Sequence, residues 1–183
     1  YQDRGPRTRE TFQARLTHEP GHWLRTGDLG TLLDGQLLVT GRLKDLIIVD
    51  GRNHYPQDVE GTAQAAHRAI RPDRLAAFAV PAGQLPAGRD SDGGTDPRAA
   101  IAAESVVIVA EHVRGLPAPA RKPEEVAAAV RAAVSARHGL RPAEVLLVPP
   151  GTVPRTSSGK ISRTLTRARY LDGAYERPER GTA

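Results

Sequence analysis

The chain has 183 residues, with 26 Lys and Arg against 21 Asp and Glu, a formal net charge of +5 and no cysteine, which excludes a disulfide scaffold, a cysteine metal site and thiol catalysis. Its longest apolar runs, such as residues 106–110, are far shorter than the about 18 residues that a membrane-spanning helix needs, and no basic segment leads into an apolar one as in a signal peptide. We therefore predict a soluble, cytoplasmic protein with no membrane span.

Arginine accounts for 23 of the 26 basic residues. The arginines are scattered and no aromatic residues alternate with them, so we predict no nucleic-acid partner. The chain also contains no methionine and begins with Tyr1. Because a natural open reading frame begins with methionine, we expect the chain to be a piece of a longer polypeptide.

The first third of the chain predicts two helices and three strands. Residues 8–16 have weak helical character, and the apolar residues 32–33 and 37–39 flank Asp34-Gly35, a pair typical of tight hairpin turns. Residues 46–49 form a short apolar strand that ends at the turn Asp50-Gly51. Pro56 is tolerated in a first helical turn, which predicts a helix over residues 55–69.

Two further strands are predicted at residues 75–80 and 105–110, from their apolar and β-branched side chains. Between them, residues 81–99 are rich in Gly, Pro and Asp. This segment has too few apolar side chains to order itself, so we predict a mobile loop between two hairpin strands.

The strongest helical pattern covers residues 123–138. It has acidic residues in its first turn and Arg137-His138-Gly139 at its end, and Val126, Val130 and Val134 form one apolar stripe. A strand at residues 145–148 and a helix at residues 161–171 follow, and residues 176–183 are predicted to be a disordered tail. This order of elements predicts a small α+β domain, with a mixed or antiparallel sheet and helices packed against it.

Three turns place glycine beside a charged residue, and the first is Arg25-Thr26-Gly27-Asp28. A carboxylate on a tight turn can accept two hydrogen bonds from a vicinal diol such as a ribose. The alternative is an Asx-type turn, in which Asp28 bonds only its own backbone.

The second turn, residues 41–45, contains the adjacent opposite charges Lys44 and Asp45 on a non-periodic connector. Such a connector suits a hinge, because its polar side chains stay solvated in either orientation. The alternative is a solvated loop whose surface ion pair contributes almost nothing.

The third turn, residues 154–160, carries one of only three lysines, Lys160, on a Ser- and Gly-rich segment. A lysine on such a turn can bring its ammonium onto negative charge that develops at phosphate or carboxylate oxygens. The segment is not a Walker A loop, because the first glycine of that pattern is missing and Pro154 lies in that stretch. The alternative is a solvated helix start.

Together the three turns resemble, in order and spacing, the last motifs of the adenylate-forming superfamily, which includes acyl-CoA synthetases, nonribosomal peptide synthetase adenylation domains and luciferases. The resemblance covers nearly the whole chain. Residues 41–60, GRLKDLIIVDGRNHYPQDVE, look like the fatty acyl-AMP ligase branch, in which Arg-Asn-His-Tyr-Pro-Gln-Asp after the glycine is characteristic. Residues 69–72 and 77–80 fit the same branch.

The resemblance implies an α+β fold in two parts. Residues 1–42 would be the tail end of a large N-terminal adenylation domain, including a β-hairpin. Residues 43–175 would be the small mobile C-terminal domain, a mixed β-sheet flanked by helices that rotates between two half-reactions. The phosphate-gripping loop and the acyl tunnel of the family belong to the N-terminal domain, so we expect this chain alone to be inactive.

The resemblance also implies residue roles. Lys160 would be the catalytic lysine, bridging the attacking carboxylate and the α-phosphate of ATP during adenylation. The other roles are ribose binding for Asp28 and Arg42, the hinge for Lys44 and Asp45, and a border of the pantetheine path for Gly51. ATP and Mg²⁺ would be bound mainly by the N-terminal domain, and no residue of this chain is assigned as a metal ligand.

The implied function is that of the C-terminal part of a fatty acyl-AMP ligase. Such an enzyme activates a fatty acid with ATP, releases pyrophosphate and transfers the acyl group to the phosphopantetheine of an acyl carrier protein. Its partners would be its own N-terminal domain, the carrier protein and the fatty acid. Two alternatives stay open: the C-terminal domain of an acyl-CoA synthetase, and a non-catalytic module that only docks a carrier protein.

Overall fold

A computed structural model describes residues 5–85, 104–117 and 121–175 of the chain. The chain divides into two compact units, Tyr1–Lys44 and Asp45–Ala183. Most of the predicted mobile loop, from residue 86 onward, and the predicted tail at 176–183 lie outside the described residues. None of the described helices combines the length and the apolar character that crossing a bilayer requires.

The first unit contains a short helix and the predicted hairpin. Helix α1 covers Gly5–Phe12, and strands β1, Asp28–Leu33, and β2, Gln36–Arg42, pair antiparallel. Asp34 and Gly35 both have positive φ, 51° and 77°, as a type I′ turn requires. The hairpin is confirmed, whereas α1 ends before residue 16 because Ala14 leaves the helix and pairs with Trp23 through two backbone hydrogen bonds.

The hairpin exposes an apolar surface. Leu32, Leu37 and Val39 are 74%, 68% and 66% exposed. Among the described residues, every buried apolar side chain lies at Ile47 or later. The first unit therefore has no buried apolar core of its own in the described part of the chain.

A second hairpin opens the other unit. Strands β3, Ile47–Val49, and β4, Arg52–His54, pair across Asp50 and Gly51, whose φ values of 50° and 71° repeat the first turn. The sequence predicts β3 but not β4, because Arg-Asn-His carries no apolar side chain to mark a strand.

Helix α2 covers Pro56–Ala66, with Pro56 in its first turn as predicted. It ends before the predicted residue 69 because His67 adopts an extended backbone, with φ of −153°. The His67 ring then accepts a hydrogen bond from the Ala69 N–H at 3.1 Å.

Three strands form the central sheet. Strand β5, Ile70–Pro81, pairs antiparallel with β6, Glu104–His112, and β6 pairs parallel with β7, Glu144–Val148. Helix α3, Pro123–His138, connects β6 to β7, and helix α4, Arg163–Leu171, follows β7. The predicted mixed sheet flanked by helices, and with it the α+β class, is confirmed.

The two faces of this sheet bury different clusters, because successive side chains of a strand point to opposite faces. One cluster contains Ile108 of β6 with Val126, Val130 and Val134 of α3, so the predicted apolar stripe is confirmed. The other contains Tyr170 of α4, whose ring lies 5.7 Å from that of Phe78 on β5 in an edge-on arrangement. Helices therefore cover both faces of the sheet.

Candidate functional site

The structure brings the two predicted ribose-binding residues together. Asp28 and Arg42 are cross-strand neighbours in the first hairpin, and Arg42 Nε lies 3.3 Å from Asp28 Oδ1. The Asp28 carboxylate therefore faces Arg42, and its own backbone N–H donates to Thr26 Oγ1 at 3.1 Å. Because the carboxylate is 37% exposed and offers about four lone-pair sites, it keeps acceptor capacity for a diol. Ribose binding by Asp28 stays a prediction.

Lys44 and Asp45 do not pair with each other. They belong to a short 3₁₀ turn, Leu43–Asp45, and the boundary between the two compact units falls between them. Lys44 is exposed, whereas Asp45 is half-buried and its Oδ2 lies 3.1 Å from Arg163 Nη1. The alternative prediction for the connector is a solvated loop with an ion pair between Lys44 and Asp45. The structure does not contain that pair, because Asp45 pairs with Arg163 instead.

Lys160 lies on a turn whose backbone is closely tied. The Thr156 N–H donates to the Lys160 carbonyl at 2.8 Å, and the Lys160 N–H donates to Thr156 Oγ1 at 3.2 Å. Arg155 and Ile161 form an antiparallel bridge at the base of the turn, and α4 begins only at Arg163. Lys160 therefore precedes the helix and belongs to a defined turn.

The Lys160 side chain, in contrast, is exposed. Within the described residues, its ammonium makes no ion pair. A lysine with a fixed backbone and an exposed ammonium can reach negative charge on a bound molecule.

One carboxylate network anchors the start of this turn. Glu111 of β6 is buried, and its Oε1 accepts a hydrogen bond from the Val153 N–H at 3.0 Å. Its Oε2 lies 2.9 Å from Arg71 Nη1, so the buried charge has a partner. The sequence does not reveal this network, because its members are about 40 residues apart and follow no periodic pattern.

A second network anchors the end of the turn. Arg163, the first residue of α4, donates from Nε and Nη2 to the two oxygens of Glu60, both at 2.6 Å. Its Nη1 donates to Asp45, and Glu60 Oε1 also accepts from the Ala77 N–H at 3.0 Å. Hydrogen bonding to Glu60 raises the pKa of the Arg163 guanidinium above its ordinary value, although burial opposes the rise. The group therefore stays charged.

Gly51 occupies the turn between β3 and β4, beside a cluster of basic groups. Partial burial, then repulsion from His138 and from Arg52, lowers the pKa of His54 below its ordinary value. Thr62 Oγ1 and His138 Nε2 lie 2.8 Å apart. A groove of about 840 Å³ runs between α2 and α3 along Gly61, Ala65 and His138, and none of the six predicted site residues lines it.

The described residues contain no group of three or more His, Cys, Asp or Glu side chains that could hold a metal ion.

Among curated proteins, the chain is similar to parts of two ligases. It is 49% identical over 156 residues to the long-chain-fatty-acid–AMP ligase FadD32 of Mycolicibacterium smegmatis, covering 83% of this chain and 24% of that protein. It is 38% identical over 180 residues to the medium-chain-fatty-acid–[acyl-carrier-protein] ligase JamA of Moorena producens, covering 98% of this chain and 27% of that protein. The chain thus spans about a quarter of the length of these relatives. No family model matches it.

The chain is also similar to solved structures. A structure from a study of fatty acyl-adenylate ligases of E. coli and L. pneumophila is 35% identical, with a TM-score of 0.62, over 84% of this chain and 23% of that one. The McyG A-PCP complexed with phenylalanyl-adenylate is 25% identical, with a TM-score of 0.70, over 94% of this chain and 26% of that one.

Proposed function

We propose that this chain, which belongs to the adenylate-forming enzymes and is a homologue of fatty acyl-AMP ligases, is the C-terminal part of such a ligase. The longer enzyme would activate a fatty acid with ATP to acyl-adenylate and pyrophosphate, and then transfer the acyl group to a carrier protein. The similarity to FadD32 supports a fatty acid substrate, and the similarity to JamA supports a carrier protein as acceptor.

The observation that carries this proposal is the turn at residues 155–161, which fixes the backbone of Lys160 and leaves its side chain exposed, with no ion pair to any described residue. In adenylation, a carboxylate oxygen forms a bond to the α-phosphorus as the bond from that phosphorus to the pyrophosphate oxygen breaks. The α-phosphate and the attacking carboxylate both carry negative charge. The Lys160 ammonium donates hydrogen bonds to these oxygens and so stabilises the transition state.

The remaining residues act around this step. Asp28, beside Arg42, accepts hydrogen bonds from the two ribose hydroxyls of ATP. Lys44 and Asp45 form the hinge. The boundary between the two compact units falls between these two residues, which supports this role. Gly51 borders the path of the pantetheine arm, where a side chain would narrow the path.

The decisive variant is Lys160→Ala in the full-length polypeptide that contains this chain. We expect fatty-acid-dependent pyrophosphate exchange to fall on the order of 10²- to 10³-fold, because a preorganised donor to developing charge is lost. The matched control is Lys122→Ala, since Lys122 is an exposed lysine whose ammonium pairs with Glu125 at the start of α3. Unchanged exchange in Lys160→Ala would favour the docking-module alternative.

A second experiment addresses the acceptor. The full-length enzyme is loaded with radiolabelled fatty acid and ATP and offered either CoA or a holo acyl carrier protein. We expect label on the carrier protein and none on CoA, whereas label on CoA would favour the acyl-CoA synthetase alternative. The 183-residue chain alone should give no pyrophosphate exchange, and a fatty-acid-dependent signal from it would contradict that part of the proposal.

A further inference from the structure

Arg163 joins three parts of the second unit through one guanidinium: α4, α2 and the connector at Asp45. It begins α4, three residues after Lys160. Its fork binds both oxygens of Glu60 on α2, and its third nitrogen binds Asp45, the first residue of the unit. Glu60 in turn accepts from the backbone of β5 at Ala77.

The contacts of Arg163 are short and largely shielded from water. Its side chain is 22% exposed, and those of Glu60 and Asp45 are 13% and 21% exposed. A two-point contact between guanidinium and carboxylate fixes orientation as well as distance. Arg163 therefore defines where α4 starts relative to α2 and to the connector at Asp45.

We infer that Arg163 is a positioning residue that links the hinge connector to the catalytic turn: through Asp45 it fixes the first residue after the hinge, and through its own backbone it fixes the end of the turn that carries Lys160. This inference rests on the proposed function, since it requires Lys160 to act in adenylation. Movement at the connector that displaces Asp45 is transmitted by the guanidinium to α4.

Only two residues, Ile161 and Ser162, separate Arg163 from Lys160 along the chain. The Ser162 N–H, between them, donates to the Pro154 carbonyl at 3.0 Å, and Ser162 Oγ accepts from the Leu165 N–H as the cap of α4. Ile161, next to Ser162, pairs with Arg155 across the base of the turn. A displacement of the first turn of α4 therefore displaces the base of the catalytic turn.

A residue with this role affects the two half-reactions differently. Lys160 acts when the acyl-adenylate forms, and attack of a thiol on a preformed acyl-adenylate does not use it in the proposed mechanism. A variant that misplaces Lys160 without unfolding the unit should therefore slow adenylation and spare transfer. A purely structural role would slow both.

The test uses Asp45→Asn and Arg163→Lys in the full-length ligase. Asp45→Asn weakens only the contact to the connector, and Arg163→Lys keeps the positive charge but loses the fork. Pyrophosphate exchange at saturating ATP and fatty acid is measured for both variants, and for Arg163→Lys it is compared with transfer from preformed acyl-adenylate to the acceptor. We expect adenylation to fall about tenfold to a hundredfold in both variants, in kcat more than in KM for ATP. Transfer should be unchanged within error in Arg163→Lys. Asp45→Asn is compared on adenylation alone, because Asp45 also belongs to the proposed hinge.

The control is Arg141→Lys, an arginine exposed in the loop before β7, which should leave both half-reactions unchanged. Provided that the wild-type enzyme exchanges pyrophosphate, equal losses in both half-reactions of Arg163→Lys would overturn the inference. Unchanged adenylation in either variant would overturn it as well. A wild-type enzyme without exchange would overturn the proposed function together with the inference. Thermal unfolding of each variant, with the assays performed well below its midpoint, separates misplacement from unfolding.

Discussion

Thr156 shows how one short side chain can set the position of a reactive residue. Its hydroxyl accepts from the Lys160 N–H and lies 2.9 Å from Ser158 Oγ, and its N–H bonds the Lys160 carbonyl. These bonds satisfy the polar groups of the turn locally, which is why a Ser- and Thr-rich segment can be ordered without apolar side chains. The lysine side chain takes no part in these bonds and is exposed, as the proposed role in adenylation requires.

Single residues differ in how readily the sequence pattern identifies them as candidate site residues. Lys160 and Asp28 lie beside glycines in turns, and that pairing directs attention to them. Arg163 and Glu111 offer no such signal, because their partners lie 40 to 118 positions away in the chain. Only the tertiary fold brings these groups within hydrogen-bond distance.

His54 predicts a pH dependence of stability. The folded chain holds the pKa of His54 below its ordinary value of 6.5, so the unfolded chain takes up this proton at the higher pH. Neutral His54 therefore makes its full contribution to the free energy of unfolding above pH 6.5. That contribution is lost as the pH falls from 6.5 through the lower pKa of the folded chain. We expect the urea midpoint of the wild-type chain to fall between about pH 7.5 and about pH 5.5.

The His54→Gln variant should show a smaller fall over the same pH range. The control is His22→Gln, which changes an exposed histidine of the first unit and should leave the wild-type slope. An identical slope in His54→Gln would mean that His54 does not carry the effect.

At the scale of elements, the two hairpins show what a sequence pattern can and cannot predict. Both have Asp-Gly at the turn with positive φ at both positions. The first is predictable because leucines flank its turn on both sides. The second strand of the other hairpin, Arg52–His54, is mostly exposed and polar, so only its turn is predictable. The sheet and its two long helices are predictable because their apolar side chains repeat with the period of the element.

Gly159 restricts which residues the turn that carries Lys160 can accept. Its φ is +83°, and a Cβ there would lie 2.9 Å from Arg155 Nη2. Gly159→Ala should therefore destabilise the turn by about 1–2 kcal/mol and lower adenylation more than transfer. Urea unfolding of the chain and pyrophosphate exchange of the full-length enzyme measure the two effects.

The matched control is Gly61→Ala. Gly61 lies within helix α2, and a Cβ there meets no atom within 4 Å. This substitution should stabilise the chain by about 0.5–1 kcal/mol. A Gly159→Ala variant as stable as wild type would show that the turn tolerates a side chain at this position.

At the scale of the whole molecule, the two units differ in what holds them together. The buried clusters on both faces of the sheet are built from residues at position 47 and beyond. The hairpin of the first unit presents leucines to solvent in the described structure. Exposed apolar patches of this kind mark surfaces that another protein part covers, which supports the proposal that residues 1–42 belong to a larger domain.

A shortened chain tests this division. A polypeptide of residues 43–183 keeps every buried apolar residue of the described structure, so we expect it to unfold cooperatively with a midpoint close to that of the 183-residue chain. Without the leucines of the hairpin, it should also self-associate less at the same concentration. Thermal unfolding and light scattering of the two chains measure these outcomes, and a shortened chain that fails to fold would contradict the division.

The parallel pairing of β6 with β7 also bears on the order of events during synthesis. Strand β6 leaves the ribosome before α3, yet its second neighbour is not available until residue 148 has emerged, and Tyr170 and Tyr175 complete the second buried cluster later still. Until then one edge of β6 lacks its partner strand, and such an edge can pair with other chains. A nascent chain stalled before β7 would thus carry an open strand edge. Chaperone binding to this ribosome-bound intermediate would prevent that edge from pairing with other chains.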